Sequence, residues 1–549
     1  MKINDIPPSA FRGTGEEVQA LQFAYERCAD QDASQPAHHP IVVVGAGPVG
    51  LTLAIDLAQR GQPVLVLDND DRLSIGSRAL CFAKRTLEIW DRLGVGDPMV
   101  EKGISWNVGK VFMQDEKVYE FNLLPEDGHE RPAFINLQQY YCEAYLVERA
   151  LQLPNIQIRW KHAVSGINAH DNGALLTIDT PDGAYDLRAD WVIACDGARS
   201  PMRGMMGLES KGRIFQDRFL IADVKMKADF PTERWFWFDP PFHRNQSVLL
   251  HREPDNVWRI DFQLGWDADP EEEKKPEKII PRVQALLGKD TEFTLEWASV
   301  YTFACLRMDK FVHGRVIFAG DSAHGVSPFG ARGANSGVQD ADNLAWKLDW
   351  VLKGRAGQEL LQTYGPEREF AADENILNST RATDFITPKS EISRMFRDEV
   401  LHLARDYDFA RRLVNSGRLS VPATLSTSTL NTSDVDVFDG NMRPGAPLTD
   451  APVTTADGKT SWLLRSLSSE FTLLVFGGVE DWMTRLPNVQ VLSIGHDLID
   501  SLSLVKQRLD ATSGTAYLVR PDQHVCARWR KPDETMVLSA LARATCATH

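Results

Sequence analysis

The sequence predicts an α/β fold that opens with a Rossmann-like domain and closes with a second, smaller α/β domain. A short β-branched strand, IVVV, leads into the glycine-rich turn GAGPVG, the helix LTLAIDLAQRG and a second strand, PVLVLDND. Strand, turn, helix and strand in this order form a βαβ unit. Alternating apolar segments between residues 213 and 311, such as FLIADVKM and NVWRIDFQL, predict an antiparallel sheet inserted into the first domain.

These patterns also predict where the chain divides. We expect an N-terminal extension at residues 1–38 and a dinucleotide-binding domain in two parts, at 39–212 and 312–435. Between these two parts we expect an inserted β-sheet domain that holds the substrate, at 213–311. A C-terminal α/β domain is expected at 440–549. The segment SVPATLSTSTLNTSDVDVFDG, rich in Ser, Thr and Pro, is typical of a connector before the last domain. The strands FTLLVFG, VQVLSIG and TAYLVRP, with helices between them, predict the α/β fold of that domain.

The composition is that of a globular protein that acts on small molecules. Apolar residues make up 43% of the chain and charged residues 25%, which is ordinary for a folded domain. The net charge of -16 disfavours a nucleic-acid partner. The 7 cysteines have neither CxxC nor metal-ligand spacing, so we interpret them as free thiols of a cytoplasmic protein and expect no metal. No secretory signal or membrane-spanning run is predicted.

The first functional motif is the turn that contains Gly45, Gly47, Pro48 and Gly50. Gly45 permits the tight turn, and Gly47 lets the backbone approach a pyrophosphate at the positive end of the helix. Gly50 lets the helix and the strand pack closely. Asp68, at the end of the second strand, can bind ribose hydroxyls. The turn therefore predicts dinucleotide binding, but it does not distinguish FAD from NAD.

Two later motifs distinguish between these dinucleotides. CDGARSPMR contributes Asp196 directly after a predicted strand, and GDSAHGVSPFGARGAN follows another strand. The candidate residues of the second motif are Gly320, Asp321, Pro328, Gly333, Ala334 and Asn335. Together with GAGPVG, and in this order, the motifs resemble the three signatures of the single-component, FAD-dependent aromatic hydroxylases. The resemblance covers residues 40–549 and is strongest at these motifs.

The resemblance implies FAD as the cofactor and assigns contacts to it. It places Asp321 at the ribityl chain, Asp196 near FAD and the nicotinamide cofactor, and Pro328 at the flavin face that reacts with oxygen. The backbone N–H groups of residues 333–335 would lie near the flavin pyrimidine, where a reduced flavin carries negative charge. His324, within the same motif, is assigned to structure.

Three further cofactor contacts follow from the resemblance. Arg78 in IGSRAL would lie near the FAD phosphates, Gln139 on the ribityl side, and the backbone of Val164 against adenine. A solvated surface arginine is the alternative for Arg78. Where many relatives read GQGMN, this chain reads GARGAN, which puts Arg332 beside the expected flavin ring. Arg332 either holds an anionic flavin or substrate, or forms a surface salt bridge.

The resemblance also implies a monooxygenase reaction. NADH or NADPH would reduce FAD, O2 would form a flavin C4a-hydroperoxide, and one oxygen atom would pass to an aromatic, phenolic substrate. Such chemistry needs a dry pocket, which the aromatic-rich inserted sheet could provide. A phenol also needs a base, and His251, with Asp261 as the second candidate, has suitable chemistry. The alternative is a structural histidine bonded within the sheet.

Other functions remain open at this stage. The same flavin chemistry could act on an indole-like or polyketide ring by epoxidation or oxidation, or the chain could be a non-catalytic flavin-binding sensor. An NAD-dependent dehydrogenase would leave the two later motifs unexplained. RPGAPLTDAPV and AYLVRPDQHVCARW resemble the thioredoxin-like tail of the phenol hydroxylase and 3-(3-hydroxyphenyl)propionate hydroxylase branch. Without CxxC, this tail is expected to serve structure or the subunit contacts of a homodimer.

Overall fold

The computed structural model describes residues 22–74, 79–227, 230–288, 290–414, 419 and 421–547. Its first part begins with the predicted βαβ unit. The strands before residue 210 are β1 (Ala37–Val44), β2 (Val64–Leu67), β3 (Cys81–Ala83), β4 (Ile104–Trp106), β5 (Val108–Met113), β6 (Glu116–Asn122), β7 (Phe134–Asn136), β8 (Ile156–Arg159), β9 (Ala163–His170), β10 (Gly173–Thr180) and β11 (Gly183–Ala194). The helices are α1 (Pro48–Gln59), α2 (Lys84–Leu93), α3 (Gly96–Lys102), α4 (Gln139–Ala150) and α5 (Pro201–Met205).

The middle of the chain is mostly β-structure, and it is followed by a long helical segment. The strands are β12 (Ser210–Met226), β13 (Arg234–Phe238), β14 (Ser247–Arg252), β15 (Val257–Leu264), β16 (Phe293–Met308), β17 (Val312–His313), β18 (Val316–Phe318) and β19 (His324–Gly325). The helices are α6 (Pro270–Glu273), α7 (Pro276–Leu287), α8 (Gly333–Leu352), α9 (Glu359–Gln362), α10 (Tyr364–Ile386), α11 (Glu391–Ala404) and α12 (Asp408–Val414).

The C-terminal part contains a mixed sheet, and the predicted segments FTLLVFG, VQVLSIG and TAYLVRP each contain one of its strands. Its strands are β20 (Pro452–Thr455), β21 (Thr460–Trp462), β22 (Phe471–Phe476), β23 (Val489–Ile494), β24 (Leu498–Ile499), β25 (Ala516–Val519) and β26 (Val525–Trp529). Its helices are α13 (Leu463–Ser466), α14 (Leu504–Arg508) and α15 (Glu534–Ala544). Strand β22 runs parallel to β23 and antiparallel to β25. None of the helices in the described part of the chain has the length and apolarity needed to cross a bilayer.

The first sheet places the glycine turn at its centre. Its order is β17-β18-β11-β1-β2-β8, with β10 paired to β11 and β9 paired to β10. Strand β1 pairs in parallel with both β11 and β2, so it is covered by neighbours on both edges. Its last residues, Ile41 to Val44, are buried, which explains their unbroken apolar sequence. The motifs that follow β1, β11 and β18 therefore meet at the carboxyl edge of one parallel sheet.

The second sheet has the order β19-β16-β12-β15-β14-β13-β5-β6. All its pairs are antiparallel except β13 with β5. The hairpin β5–β6, which lies within residues 39–212, extends the edge of this second sheet. Strand β5 reaches this edge by pairing in parallel with β13, a strand from a distant part of the chain. The predicted domain boundaries stay predictions.

Candidate functional site

The glycine turn lies between β1 and α1, where the chain packs closely on two sides. Gly45 has φ of +109°, and a Cβ there would lie 2.5 Å from the carbonyl oxygen of Cys195. A Cβ on Gly50 would collide with the carbonyl oxygen of Gly45. A Cβ on Gly47, by contrast, would meet no atom within 4 Å. Crowding within the protein therefore explains Gly45 and Gly50, whereas Gly47 borders open space that a ligand could fill.

The start of α1 and the end of β2 provide complementary groups beside this turn. Gly47 is the N-cap of α1 and makes no side-chain capping bond, and Pro48 follows it. Uncapped N–H groups at the positive end of a helix attract phosphate. The Oδ2 of Asp68 accepts a hydrogen bond from the Ala46 N–H at 2.6 Å, and its Oδ1 accepts one from Asp70 at 2.8 Å. Burial raises the pKa of Asp68. The carboxyl group therefore braces the turn, and each oxygen keeps a lone pair for a ribose hydroxyl.

The loop after β18 brings the third motif against the first. Gly320 has φ of +66°, and its N–H donates to Asp340 at 2.9 Å. A Cβ on Gly320 would lie 2.9 Å from Val49 in the first turn of α1. Asp321 is exposed, and its Oδ1 is 3.9 Å from where a Cβ on Gly333 would stand. Asp321 therefore lies beside the start of α8, and its neighbour Gly320 contacts the start of α1.

The segment that leads into α8 connects the motif to the second sheet. Pro328 is exposed, whereas Phe329 beside it is buried. The ring centroid of Phe329 lies 4.7 Å from that of Phe219 and 5.3 Å from that of Phe303, both in the second sheet. Gly330 has φ of +108°, which lets the chain turn toward α8. No side chain caps the N-terminus of α8, so its first N–H groups are suited to an anionic flavin ring.

The side chain of Asn335 is fully used within the protein. Its Oδ1 accepts hydrogen bonds from the Ala83 N–H at 2.8 Å and from the Thr86 hydroxyl at 2.7 Å. Its Nδ2 donates to the carbonyl oxygens of Cys81 at 2.9 Å and Ala331 at 2.5 Å. These bonds tie α8 to β3 and to the preceding loop. Any contact of residues 333–335 with a flavin therefore falls to their backbone.

Gln139 and Val164, the other two predicted FAD contacts, lie in α4 and β9, away from the glycine turn in the sequence. The Oε1 of Gln139 accepts a hydrogen bond from the Ala79 N–H at 3.0 Å, and its Nε2 donates to Glu143 at 2.7 Å. Gln139 thus anchors the segment next to Arg78, but Arg78 itself lies outside the described residues. Val164 is half-buried in β9, which pairs with β10 at the side of the first sheet.

Asp196 and Arg332 are both largely enclosed. The Oδ2 of Asp196 accepts a hydrogen bond from the Met202 N–H at 2.9 Å, while its Oδ1 is buried without a hydrogen-bond partner among the described residues. Burial raises the pKa of Asp196. Arg332 is buried, and its Nη1 donates to Asn375 of α10 at 2.9 Å. Arg332 therefore belongs to the interior, so the surface interpretation does not hold for it.

One face of the second sheet meets the loop that carries Pro328, and we call it the pocket face. Residues on one face alternate along each strand, and strand register aligns them across the sheet. Those of the pocket face include Phe219, Ile221, Asp223, Arg234, Phe236, Leu249, His251, Arg259 and Asp261. The opposite face carries apolar residues such as Trp258 and Ile260, which pack in a core with Ile279 and Val283 of α7.

Charged residues cluster at one end of the pocket face. Arg259 donates to both oxygens of Asp223, from Nε and Nη2, at 2.8 Å each. The Oε1 of the adjacent Glu253 lies 3.2 Å from the Arg259 Nε. His251 lies directly opposite Arg259 in the strand register, and its Nε2 is 3.4 Å from the Oδ2 of Asp261. The structure therefore brings together His251 and Asp261, the two base candidates.

The cluster is buried, and burial sets its protonation. Burial, followed by the nearby Arg234, lowers the pKa of His251 to about 4, although Asp261 opposes this shift. Burial, followed by Asp223, raises the pKa of Glu253 to about 8. Near pH 7 the cluster therefore contains a neutral imidazole and a neutral carboxylic acid. Burial also raises the pKa of the adjacent Cys81, which stays a thiol.

Sequence reasoning missed Asp223, Arg234, Glu253 and Arg259. They lie on different strands or in the turn between two strands, and no local motif marks them. Their only signal is a charged residue at an alternating position of an otherwise apolar strand, as in VWRIDFQL. That signal acquires meaning only when the strand register is known.

His324 has a structural environment, in agreement with its assignment. Its Nε2 lies 2.6 Å from the Oδ2 of Asp340, and Arg368 donates to the Oδ1 of the same carboxylate at 2.6 Å. Burial opposes the charge on Asp340, but His324 and Arg368 hold its pKa below the ordinary value. This buried group fixes the loop of Gly320 to α8 and α10.

The residues around the glycine turn fit FAD. Gly47 borders open space, α1 and α8 both begin without a side-chain cap, Asp321 is exposed, and one oxygen of Asp196 has no partner among the described residues. Helix N-termini suit a pyrophosphate and an anionic ring, while carboxylates suit the hydroxyl groups between them. In the described part of the chain, no group of three or more His, Cys, Asp or Glu could hold a metal.

Comparison with known protein families agrees with the conclusion that these residues fit FAD. A family described as "FAD binding domain" matches residues 38–379, and one described as "Aromatic-ring hydroxylase, C-terminal" matches residues 441–547. A probable NADH-specific resorcinol 4-hydroxylase from Rhodococcus jostii (strain RHA1) is 32% identical over 338 residues, which cover 60% of this chain and 62% of that protein. The matched region thus spans less than two thirds of that relative.

Two further similarities extend the comparison. A 3-(3-hydroxy-phenyl)propionate/3-hydroxycinnamic acid hydroxylase from Mycolicibacterium smegmatis (strain ATCC 700084 / mc(2)155) is 26% identical over 381 residues, 69% of this chain and 67% of that protein. The flavin-dependent monooxygenase PieE, crystallised with FAD and substrate, superposes with a TM-score of 0.80 at 22% identity, covering 94% of this chain and 100% of that one. This likeness confirms the predicted fold class. With its two family matches, the chain belongs to the FAD-dependent aromatic hydroxylases.

Proposed function

We propose that the chain is an NAD(P)H-dependent FAD monooxygenase that hydroxylates a phenolic substrate against the pocket face. The observation that carries this proposal is the pair His251 and Asp261, 3.4 Å apart, on the sheet face that contacts the loop of Pro328. The matched relatives are named for phenols, namely resorcinol and 3-(3-hydroxyphenyl)propionate. The flavin hydroperoxide intermediate stays a prediction from the family resemblance.

The pocket face and the flavin-site loop exclude water from the place where they meet. Phe219, Phe303 and Phe329 are buried against one another, and Leu249 is buried in the same cluster. Bound FAD, once reduced by NADH or NADPH, supplies the activation of O2. The chain's own contribution here is an apolar enclosure, because water near an activated oxygen favours its loss as hydrogen peroxide.

His251 is the group that accepts the phenol proton. Its pKa of about 4 leaves the imidazole neutral over the ordinary pH range, so it can accept a hydrogen bond from the phenol hydroxyl. It takes the proton only as the ring is attacked, because a base this weak does not ionise the phenol beforehand. Neither ring nitrogen has a hydrogen-bond partner among the described residues, so no existing bond must break first. Asp261, beside Nε2, stabilises the positive charge that develops on the ring. Removing the phenol proton makes the ring more electron-rich, which favours attack on an electrophilic oxygen.

The test is turnover by the purified holoprotein with a panel of phenols. Oxidation of NADH and of NADPH is followed with resorcinol, 3-hydroxybenzoate, 3-(3-hydroxyphenyl)propionate and 4-nitrophenol, and the matched benzenes without the hydroxyl group serve as controls. We expect at least one phenol to accelerate oxidation of the nicotinamide, and the product to contain one atom from labelled O2.

Three results would contradict the proposal. A protein that cannot retain FAD would exclude the reaction. Oxidation that no phenol accelerates, with hydrogen peroxide as the sole oxygen product, would indicate a flavin protein without hydroxylase activity. Acceleration by indoles or polyketides but not by phenols, with an epoxide or ring-oxidised product, would show that the substrate is an indole-like or polyketide ring and not a phenol.

A further inference from the structure

The residues that precede β1 contact several strands of the first sheet, and we call residues 22–36 the N-terminal strap. The match to the FAD-binding family begins at residue 38, so the strap lies outside the matched region. That match therefore assigns the strap no function. The contacts of the strap with the ends of β2 and β8, however, lie next to Asp68, the predicted ribose contact.

The first set of contacts joins the strap to the loop after β2. The Phe23 N–H donates to the carbonyl oxygen of Asp71 at 2.6 Å, and Gln22 forms an antiparallel bridge with Arg72. The ring of Phe23 stacks on that of Trp160, which follows β8, with centroids 4.4 Å apart and planes at 9°. Both side chains also pack against the hydrophobic core of the first sheet. Phe23 therefore fixes the loop after β2 and the loop after β8 to each other.

The second set of contacts reaches Asp68 through its backbone partners. Tyr25 packs on the ring of His162, with centroids 5.4 Å apart, and the His162 N–H donates to the carbonyl oxygen of Asp68 at 2.8 Å. The Oδ2 of Asp30 accepts a hydrogen bond from the Arg159 Nη1 at 2.7 Å, and the carbonyl oxygen of Arg159 accepts the Asp68 N–H at 3.0 Å. The two residues that hold the Asp68 backbone are therefore both held by the strap.

The position of the Asp68 carboxylate determines whether a ribose can bind. The carboxylate lies against the glycine turn, where it accepts the Ala46 N–H at 2.6 Å. It directly follows β2, a strand of only 4 residues. A loop without such support samples several conformations, and the apparent affinity for a ligand is then reduced to the fraction of molecules whose loop is in place. Val164, the predicted adenine contact, lies at the start of β9, directly after the loop that the strap supports.

We propose that the N-terminal strap positions the segments that bind the adenosine half of FAD, namely the loop after β2 and the loop after β8. This inference goes beyond the proposed function, and it rests on the predicted ribose contact of Asp68. Phe23, Tyr25 and Asp30 are positioning residues, since they act through these loops. The flavin half is expected at the start of α8, after β18, which β11 and β1 separate from β2 in the first sheet. The strap should therefore affect the adenosine half of the cofactor and not the flavin half.

The experiment compares FAD with its two halves. FAD is removed from the purified full chain, and dissociation constants are measured for FAD and FMN by flavin fluorescence and for ADP by titration calorimetry. We expect Phe23→Ala to raise the dissociation constants of FAD and ADP about 10-fold, as when the loop is in place in about one molecule in ten. FMN, which contains the flavin without adenosine, should change less than about 3-fold. Tyr25→Ala, which removes the ring on His162, should change the three constants in the same pattern.

Arg27→Met is the matched control within the strap. The Nη2 of Arg27 donates to Asp32 of the strap at 2.6 Å, and its Nη1 lies 3.5 Å from Asp182 in the turn between β10 and β11. This variant should bind all three ligands within about 3-fold of the wild type. Asp68→Ala is the reference, because it removes the predicted ribose contact directly, and it should weaken FAD and ADP at least as much as Phe23→Ala does.

The proposal would be overturned if Phe23→Ala and Tyr25→Ala bind FAD and ADP as tightly as the wild type. It would equally be overturned if both variants weaken FMN as much as FAD, since the strap would then support the whole domain. An unchanged FAD affinity in Asp68→Ala would remove the ribose contact, and the inference with it. These measurements involve no turnover, so a failure of the proposed hydroxylation would leave them unaffected.

Discussion

Two clusters of buried charge in this protein differ in how completely they are paired. The junction network consists of Lys347, Glu367, Arg520 and Asp522, which join α8 and α10 to the C-terminal domain. Lys347 donates to one oxygen of Glu367 at 2.7 Å, and Arg520 donates to the other at 2.6 Å. Arg520 also donates from Nε to Asp522 at 2.9 Å. Although burial opposes ionisation, Arg520 and Lys347 hold the pKa of Glu367 far below its ordinary value.

The pocket cluster, made of Arg234, His251, Glu253 and Asp261, is mostly buried, but its polar atoms are far less completely paired. Within the described part of the chain, neither nitrogen of His251 and neither carboxyl oxygen of Glu253 has a hydrogen-bond partner. Buried polar groups normally find partners, because an unpaired one costs free energy. Complete pairing therefore indicates a cluster that holds domains together, whereas incomplete pairing indicates a place that a ligand completes.

The largest effect is expected from breaking the junction network. Glu367→Ala would leave the ammonium of Lys347 and much of the charge of Arg520 buried without their shared partner. We expect the free energy of unfolding to fall by about 3–5 kcal/mol, as when one member of a buried ion pair is removed. Chemical denaturation followed by tryptophan fluorescence measures this change.

Glu470→Ala is the control for that prediction. Glu470 pairs with Arg355 at 2.8 Å, but both side chains are about one-third exposed. An exposed pair of this kind contributes less than about 1 kcal/mol. Equal losses in the two variants would show that the pairing seen in the junction network does not determine stability.

A smaller effect, on catalysis rather than stability, is expected in the pocket cluster. His251→Gln should lower kcat/KM for the accepted phenol about 100-fold, because a positioned base is lost. Since the pKa of His251 is about 4, the wild-type rate should lose this base only below about pH 5. The pH profile of kcat/KM from pH 4 to 8, with substrates whose hydroxyl pKa is known, measures both features.

His243→Gln serves as the comparison for this variant. His243 lies between β13 and β14. Its Nε2 is 2.7 Å from the carbonyl oxygen of Gln263, and its ring packs on Phe262, on the face of the second sheet opposite the pocket face. It should retain the wild-type pH profile. A His251→Gln protein that keeps full activity and an unchanged profile would assign His251 to structure alone.

The smallest effect is a pH dependence of stability that arises from Glu253. Its pKa is raised to about 8 in the folded protein, whereas an unfolded glutamate releases its proton near pH 4.5. Its contribution to stability is therefore complete in acid and is lost as the pH rises toward 8. Relative to the wild type, Glu253→Gln should gain about 1–2 kcal/mol of unfolding free energy between about pH 6.5 and pH 8.

Glu470→Gln should show no such relative gain, since that carboxyl group is partly exposed. Parallel stability curves for the wild type and Glu253→Gln from pH 5 to 8 would mean that Glu253 already has a partner, and that the two clusters do not differ as described.

The flavin motifs were readable from the sequence because each is local. Gly45, Gly47 and Gly50 lie within one turn, and their spacing is fixed by the geometry of a strand that enters a helix. The order of the three motifs along the chain then indicated the family, whereas the sheet edge where they meet is seen in the structure. The backbone requirement of each motif is contained in a few consecutive residues.

The pocket cluster could not be predicted in the same way. Arg234 and His251 become neighbours only through the pairing of β13 with β14, and a shift of one residue would send either side chain to the opposite face. The place of the hairpin β5–β6 in the second sheet could not be predicted for a related reason, since its parallel partner β13 lies far along the chain. Register and long-range pairing depend on the packing of the whole sheet.

The thiols around the site have a consequence for the chemical durability of the protein. Cys81 borders the pocket cluster, Cys142 lies in α4, and the carbonyl oxygen of Cys195 contacts the glycine turn. Burial raises the pKa of all three thiols. Hydrogen peroxide that escapes from a monooxygenase oxidises thiolates much faster than thiols. We therefore expect these sulfur atoms to stay reduced if the flavin of the proposed reaction releases hydrogen peroxide.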